Sequence, residues 1–311
     1  MKTKNLFNLA IILVSAIALT LTSCAKEDLS MGTVDPVSLE QFSTDENNVE
    51  NVMKDAESDI TSVISNNAGN FKSTAWLPCN ATIDSLKTVN DSVNIFITYN
   101  GLTCDGKRNR TGKIEIKKKV GTHWEQAGAT VICKYIDFTV TRVATGKSVK
   151  LNGTKTFVNV NGGHRWQVGS VITSYVERIS GSMQASFDNG SSRTWNVARK
   201  ITYTGTAGQY ILSVDGFGSV GNYKNLVVWG TNRQGEEFFT EITKSVVSRQ
   251  ACGWDPISGV KKHQIPSDNK SATITFGYNT NNETIVGDEC PTRYRVDWQR
   301  NNKSGTSYLP L

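Results

Sequence analysis

The feature that most constrains this chain is a hydrophobic period of two that sets in at about Phe71 and runs to the C-terminus. Across 193–203, Trp195, Val197, Ile201 and Tyr203 fall on one side of an extended backbone. Thr194, Asn196, Ala198, Lys200 and Thr202 fall on the other. Successive side chains of a strand point to opposite faces, so this alternation reads as a sheet with one packed and one wet side. Ile114 and Ile116 alternate with Lys113, Glu115 and Lys117, and Phe238, Ile242 and Val246 share a face across 237–247. Further strand segments are read near 92–99, 129–143, 149–160, 166–177, 209–215, 224–230, 271–278 and 292–298. Between them stand turn signals: Asn100-Gly101, Asp105-Gly106, Thr145-Gly146, Asn161-Gly162-Gly163, Asp188-Asn189-Gly190, Asp215-Gly216 and Gln234-Gly235. Evenly spaced strands with such turns, and no long helical pattern between them, indicate antiparallel hairpins and exclude a parallel βαβ fold. The expected class is all-β, with residues 70–311 forming an antiparallel curved sheet, open barrel or sandwich.

One helix is expected ahead of the sheet, in the segment 43–69. Ser43-Thr44-Asp45-Glu46 has the form of a capping box. Val49, Val52, Met53, Ala56, Ile60, Val63 and Ile64 then follow at spacings of three and four, one apolar stripe on a helix of about 44–66. Glu50, Asp55, Glu57 and Asp59 are assigned to its other face, turned outward or toward basic strands. The charge is divided along the chain: residues 25–66 hold ten acids and two lysines, whereas 67–311 hold 18 acids and 30 bases. An acidic helix on a basic sheet is therefore the expected packing.

The first 24 residues read as an export signal. Lys2 and Lys4 precede a nearly continuous apolar run from Leu6 to Leu21, which ends in Leu21-Thr22-Ser23-Cys24. The run is short for a membrane span, and the Leu-x-Ser-Cys order resembles a bacterial lipobox, in which the Cys thiol is diacylated and residues 1–23 are removed. Several acyl chains on Cys24 give a stable anchor where one binds only marginally. Residues 24–42 read as a tether, and Lys26-Glu27-Asp28 is similar to the acidic signal that sends Bacteroidetes lipoproteins to the outer face of the outer membrane.

With Cys24 lipidated, five cysteines remain in an oxidising compartment. Locality pairs Cys79 with Cys104 around the first hairpin and Cys252 with Cys290 around the last. Cys133, on an apolar strand, is left as a buried thiol. The two blocks echo each other, Ile-Phe-Ile-Thr-Tyr-Asn before Cys104 and Ile-Thr-Phe-Gly-Tyr-Asn before Cys290, so the domain is also readable as two pseudo-repeated halves. The order of these segments, with Asn-Gly-Thr-Lys-Thr-Phe, Asn-Gly-Ser-Ser-Arg-Thr-Trp, Cys252-Gly-Trp and Gly-Asp-Glu-Cys290, resembles a family of uncharacterised Bacteroidetes lipoproteins over most of 45–300. That resemblance implies a lipid-anchored envelope protein and brings no activity with it.

Signatures of chemistry are sparse. The three histidines, His123, His164 and His263, form no His-Glu-x-x-His, and no Gly-x-Ser-x-Gly elbow, phosphate loop or Cys-x-x-Cys pair occurs. Neither cofactor nor metal is expected, and no basic cluster interleaved with aromatics points to nucleic acid. Seven tryptophans offer ring faces for stacking. Trp124 and Trp254, each near a turn, are the pair expected to be exposed for ligand stacking. Asp84-Ser85-Leu86 and Asp91-Ser92-Val93 match the short pattern of Bacteroidetes O-glycosylation, which makes Ser85 and Ser92 candidate acceptors. The expected function is a non-catalytic envelope lipoprotein, a binding or structural module of the outer membrane facing the cell surface. Its expected partners are membrane lipid through Cys24 and a glycan or envelope protein. The alternatives are a glycan-active enzyme or accessory glycan-binding protein of polysaccharide uptake, and a periplasmic carrier with an open apolar barrel.

Overall fold

The computed structural model describes residues 52, 53, 55–65 and 78–311, with the side chains of 84–89 excepted. Cys24, the tether, the Ser43 capping box, Val49, Glu50 and the side chain of Ser85 lie outside the described residues. Among the described residues, fifteen strands follow one α-helical segment, α1 (52, 53 and 55–65). They are β1 (Ala81–Val89), β2 (Ser92–Leu102), β3 (Arg108–Lys119), β4 (Ala129–Arg142), β5 (Ser148–Asn159), β6 (Tyr175–Phe187), β7 (Ser192–Thr204), β8 (Ile211–Gly216), β9 (Gly218–Val220), β10 (Tyr223–Thr231), β11 (Glu237–Arg249), β12 (Pro256–Ile265), β13 (Lys270–Tyr278), β14 (Arg293–Arg300) and β15 (Lys303–Pro310).

All fifteen belong to one antiparallel sheet. β1 to β7 pair in sequence order, β10 to β15 continue from β7, and β8 also pairs with β7 and β11. β8 and β10 share one row end to end. Trp195 to Val197 of β7 face β10, whereas Arg199 to Thr204 face β8. On the far side, β11 meets β10 through Glu237 to Glu241 and β8 through Val246 to Arg249. The short β9 pairs with β10 beside this row, where Tyr223 stacks on Phe239 with centroids 4.0 Å apart.

The period-two pattern is realised residue by residue. β4 buries Ala129, Val131, Cys133 and Tyr135 and exposes Thr130, Ile132 and Lys134 between them. The buried face of β1 to β12 and the apolar stripe of α1 form a single cluster, and Ala272, Ile274, Tyr294 and Val296 form a smaller one at the β13–β14 end. α1 touches both flanks of its half of the sheet: Asp59 bonds Tyr99 of β2 and Arg110 of β3, while Glu57, two residues away, bonds Lys155 of β5 and Arg199 of β7. Laid flat, β2 to β7 would span about 24 Å at the usual strand spacing, roughly twice the width of a helix. The sheet therefore bends around α1, whose side chains fill its concave side.

The path of the sheet begins at β1 and ends at β15, and no pairing among the described residues joins the two. Each edge carries a feature that opposes further pairing. β1 breaks register between Ile83 and Leu86, and β15 opens with Lys303 and closes at Pro310.

Two expected turns lie inside strands. Asn100-Gly101 is part of β2, where Gly101 at φ +143 lies against the Asn80 side chain, and an added Cβ would stand 2.9 Å from Asn80 Cβ. The absent side chain leaves room for Asn80 Nδ2 to donate to Leu102 O at 2.7 Å. Asp215-Gly216 ends β8. The expected strand at 166–177 is mostly loop, and β6 starts only at Tyr175.

Candidate functional site

Among the described residues, most of the buried charge lies between α1 and the sheet. Glu57, assigned from its period to the outer face of the helix, is 5% exposed and faces inward. It falls between Met53 and Ile60 on the buried stripe, so helix geometry places it against the sheet, and two sheet cations satisfy it. Lys155 Nζ donates to its Oε1 at 2.6 Å and Arg199 at 3.0 Å. Lys155 is 0% exposed and also lies over the rings of Trp195 and Tyr135. Burial lowers its pKa to about 8; Glu57 opposes the shift and the Arg199 charge adds to it. Directly opposite Lys155 on β4 is Cys133, also buried, with its thiol pKa raised by burial.

Toward the C-terminal end of α1, a second buried carboxylate, Glu177 on β6, accepts from Arg165 at 2.7 Å and from Thr61 of α1 at 3.5 Å. Burial raises the Glu177 pKa against the pull of Arg165. The Arg165 guanidinium lies over the Tyr175 and Tyr203 rings. Toward the other end, Asp55 pairs with Arg108, and Asp59 pairs with Arg110 at 2.6 Å. These residues line a cleft of about 290 Å³ with Ser58, Pro78, Thr103, Asp105 and the Cys79–Cys104 disulfide. Asp55 and Asp59 are engaged by the two arginines of the cleft, and Asp105 accepts from the Thr103 hydroxyl and Lys107 N.

The two ends of the strands differ in their connections. At one end the turns are 103–107, 143–147, 188–191, 232–236, 266–269 and 301–302, none longer than five residues. At the other, apart from the turn at 90–91, they are the longer loops 120–128, 160–174, 205–210, 250–255 and 279–292. These five loops are tied in succession. Gly163 N donates to Glu125 O at 2.8 Å, and buried Asn159 donates to Trp124 O at 2.7 Å and Gly163 O at 3.0 Å. Gly169, at φ +79, lies so close to Gly205 that an added Cβ would meet its carbonyl oxygen at 2.4 Å. Tyr210 and Gln250 exchange hydrogen bonds. Arg249 holds Asp288 at 2.6 Å and Glu289 O at 2.7 Å, and the Cys252–Cys290 disulfide closes the same contact. That disulfide encloses β12 and β13; the last hairpin is β14–β15, so the expected pairing holds but not its expected place.

The exposed aromatic of this rim is not one the sequence pointed to. Trp124 is 3% exposed, and its indole N–H donates to the Tyr175 hydroxyl at 3.1 Å. Trp254 is partly buried and packs edge-on against Tyr203. Neither is an exposed stacking platform, because each ring lies inward beneath its loop. Trp166, by contrast, is 67% exposed, and Val171 nearby is 71% exposed. A ring of His164 lies parallel to the Trp166 indole, 5.6 Å away and 11° from coplanar. The segment between them is fixed: Gln167 Oε1 accepts from His164 N at 2.8 Å, Gln167 O accepts from Val171 N at 2.9 Å, and Gly169 N donates to Ile172 O at 2.8 Å. Reading 166–177 as a strand concealed this residue. The Gly162-Gly163 pair before it and Gly169 after it were the signals of a structured loop.

Ser92 stands at the start of β2, half-buried, with its hydroxyl 3.5 Å from Asn90 O. Among the described residues no group of His, Cys, Asp and Glu is placed to hold a metal ion, and no helix is long and apolar enough to cross a membrane.

Fold and rim together define a class: an all-β protein with two disulfides, one open antiparallel meander closed over its own helix, with long loops gathered at one end. No family model matches the sequence, and neither a curated protein nor a solved structure matches the chain.

Proposed function

We propose that this is a non-catalytic lipoprotein of the bacterial cell envelope, anchored in the outer membrane through acylated Cys24, surface-facing, and binding its partner with the long-loop rim. The carrying observation is the division of labour in the fold. The concave side of the sheet is occupied by α1 and its buried ion pairs, whereas the linked loops present exposed side chains on a rigid frame. Loops held by a scaffold are where recognition residues concentrate. A carrier with an open apolar interior is disfavoured, because apolar residues of α1 lie where a ligand would sit. The two most buried glutamates, Glu57 and Glu177, are engaged by Lys155, Arg199 and Arg165 behind the helix, an arrangement that serves packing rather than glycoside cleavage. The lipobox pattern at Leu21 to Cys24 supports the anchor, and Lys26-Glu27-Asp28 supports surface display. Growth with a labelled fatty acid tests the anchor: label is expected on the parent protein and not on Cys24→Ser. Protease treatment of intact cells tests the orientation. Label retained by Cys24→Ser, or full protection from protease with label present, overturns the respective part of this reading.

A further inference from the structure

The rim is a binding surface only under the reading just given, and on that reading its ligand class can be named. We infer that the Trp166–His164 stack is a platform for the pyranose ring of a neutral glycan. Three observations carry this. First, the indole is 67% exposed with the His164 ring stacked against it, so most of its surface meets solvent. The axial C–H groups of a sugar ring carry slight positive charge and pack on the electron-rich face of an aromatic ring, so an exposed indole takes one sugar face. Second, the platform is pre-organised. The short 3-10 turn Arg165–Gln167 is anchored at its first residue by the buried Glu177 carboxylate and by the Tyr175 and Tyr203 rings. The same turn is closed by the Gln167 side chain. A ligand meeting Trp166 therefore does not have to order the loop, which lowers the entropic cost of a weak, single-ring contact. Third, the charge of this turn is directed inward. The Arg165 guanidinium is held by Glu177, and Ser170 and Thr173 of the same loop and Thr206 of the loop that packs on it are exposed hydroxyls. Exposed hydroxyls on the loops that carry the ring suit an uncharged sugar, whereas an anionic lipid surface is met by exposed basic residues around several apolar ones. Arg165 is here a positioning residue: it fixes the turn from below and does not itself reach the ligand.

The test uses the full mature chain carrying Cys24→Ser, run in native gels cast with barley β-glucan, yeast α-mannan or chondroitin sulfate. Retardation is expected in at least one neutral gel and not in chondroitin sulfate. Trp166→Ala should weaken that retardation at least tenfold, Trp166→Phe should retain part of it, and Val171→Ala should leave it within twofold. His164→Ala should weaken it without changing the urea midpoint. Retardation equal in Trp166→Ala and parent, or none in either neutral gel, overturns the inference. So does Trp166-dependent sedimentation with phosphatidylethanolamine–phosphatidylglycerol vesicles, which would make the rim a lipid contact. None of these outcomes touches the fatty-acid labelling of Cys24, so loss of the platform and loss of the lipoprotein reading are separable.

Discussion

The two ends of this sheet are made from the same strands and differ in how the chain turns back. At the tight end, short turns reverse the chain, and the Asn232 turn shows the economy of the device: its side-chain oxygen accepts from the N–H groups of Gln234 and Glu236 at 3.0 and 2.9 Å. The turn at Asn279, on the other end, uses the same device, with Asn279 Oδ1 accepting from Asn281 and Glu283. Both ends carry a buried asparagine and a disulfide, Asn232 and Cys79–Cys104 at the tight end and Asn159 and Cys252–Cys290 at the other; the long-loop end adds a buried carboxylate under Arg165 and contacts that link its loops in succession. Loops of this length pay an ordering cost that short turns avoid. Here the cost is offset by buried polar anchors, and the reward is a rigid surface free to carry exposed side chains. The helix is fastened differently at its two ends for the same reason. Asp55 is exposed and its partner Arg108 half-buried, whereas Glu177 is fully buried.

The comparison can be broken most sharply at Glu177. Glu177→Ala leaves the Arg165 charge without its buried partner, and loss of one member of such a pair costs about 3–5 kcal/mol. Urea unfolding should show that loss, and amide exchange should rise first in 160–174. A loss under about 1 kcal/mol would mean that the long loops do not depend on their buried anchor. Next come the disulfides. Removing Cys252–Cys290 by Cys252→Ser with Cys290→Ser should cost about 2–4 kcal/mol, with faster exchange in 279–292. The two bridges span 25 and 38 residues, so chain entropy alone separates them by only about 0.4 kcal/mol. A much larger difference between the two double variants would show that one end draws more from its bridge than loop closure. At the tight end, Asp55→Asn breaks an exposed pair and should cost no more than about 1 kcal/mol by the same urea measurement.

A further test lies in pH dependence, and its sign follows from Lys155. Burial, with the Arg199 charge adding to it, lowers its pKa from the ordinary lysine value to about 8, while Glu57 and Cys133 oppose the shift. Between about pH 8 and the ordinary lysine value the unfolded chain binds more protons than the folded one, so this group makes stability rise with pH in that window. Lys155→Met should remove the rise. Glu177 and Asp59 act in the opposite sense, since burial raises both. Their contribution is present at low pH and is lost as pH climbs from the unfolded carboxylate value through the folded one. Urea midpoints measured across the pH range check both signs.

Much of the fold was legible because its pattern is local. Alternation over 193–203 and 237–247 and the Asp-Gly, Thr-Gly and Gln-Gly turns identify strands from neighbours a few residues apart. The bridges Cys79–Cys104 and Cys252–Cys290 follow from the same locality. The strand expected at 166–177 failed because Trp166, Val168 and Ile172 give an apolar count without saying whether a sheet row is available to receive them. Asn100-Gly101 failed as a turn because the glycine serves a close approach of Asn80, from the turn that leads into β1. Glu57 was set on the wrong face because a carboxylate on an apolar stripe looks like an error until Lys155 and Arg199, 98 and 142 residues away, are brought to it. Trp124 and Trp254 were chosen for standing near turns, and proximity to a turn does not tell whether a ring lies above or beneath it.

By itself the amino-acid order determined the antiparallel strands, the partition into an acidic helix and a basic sheet, and the pairing of four cysteines. These depend on period, composition and short separations along the chain. Tertiary structure alone decided which end carries long linked loops, that the concave side belongs to α1, and that Trp166 rather than Trp124 or Trp254 meets solvent. Those outcomes depend on which residues distant in sequence share a buried space, and the desolvation and pairing of charge that settle it exist only once the sheet has closed around the helix.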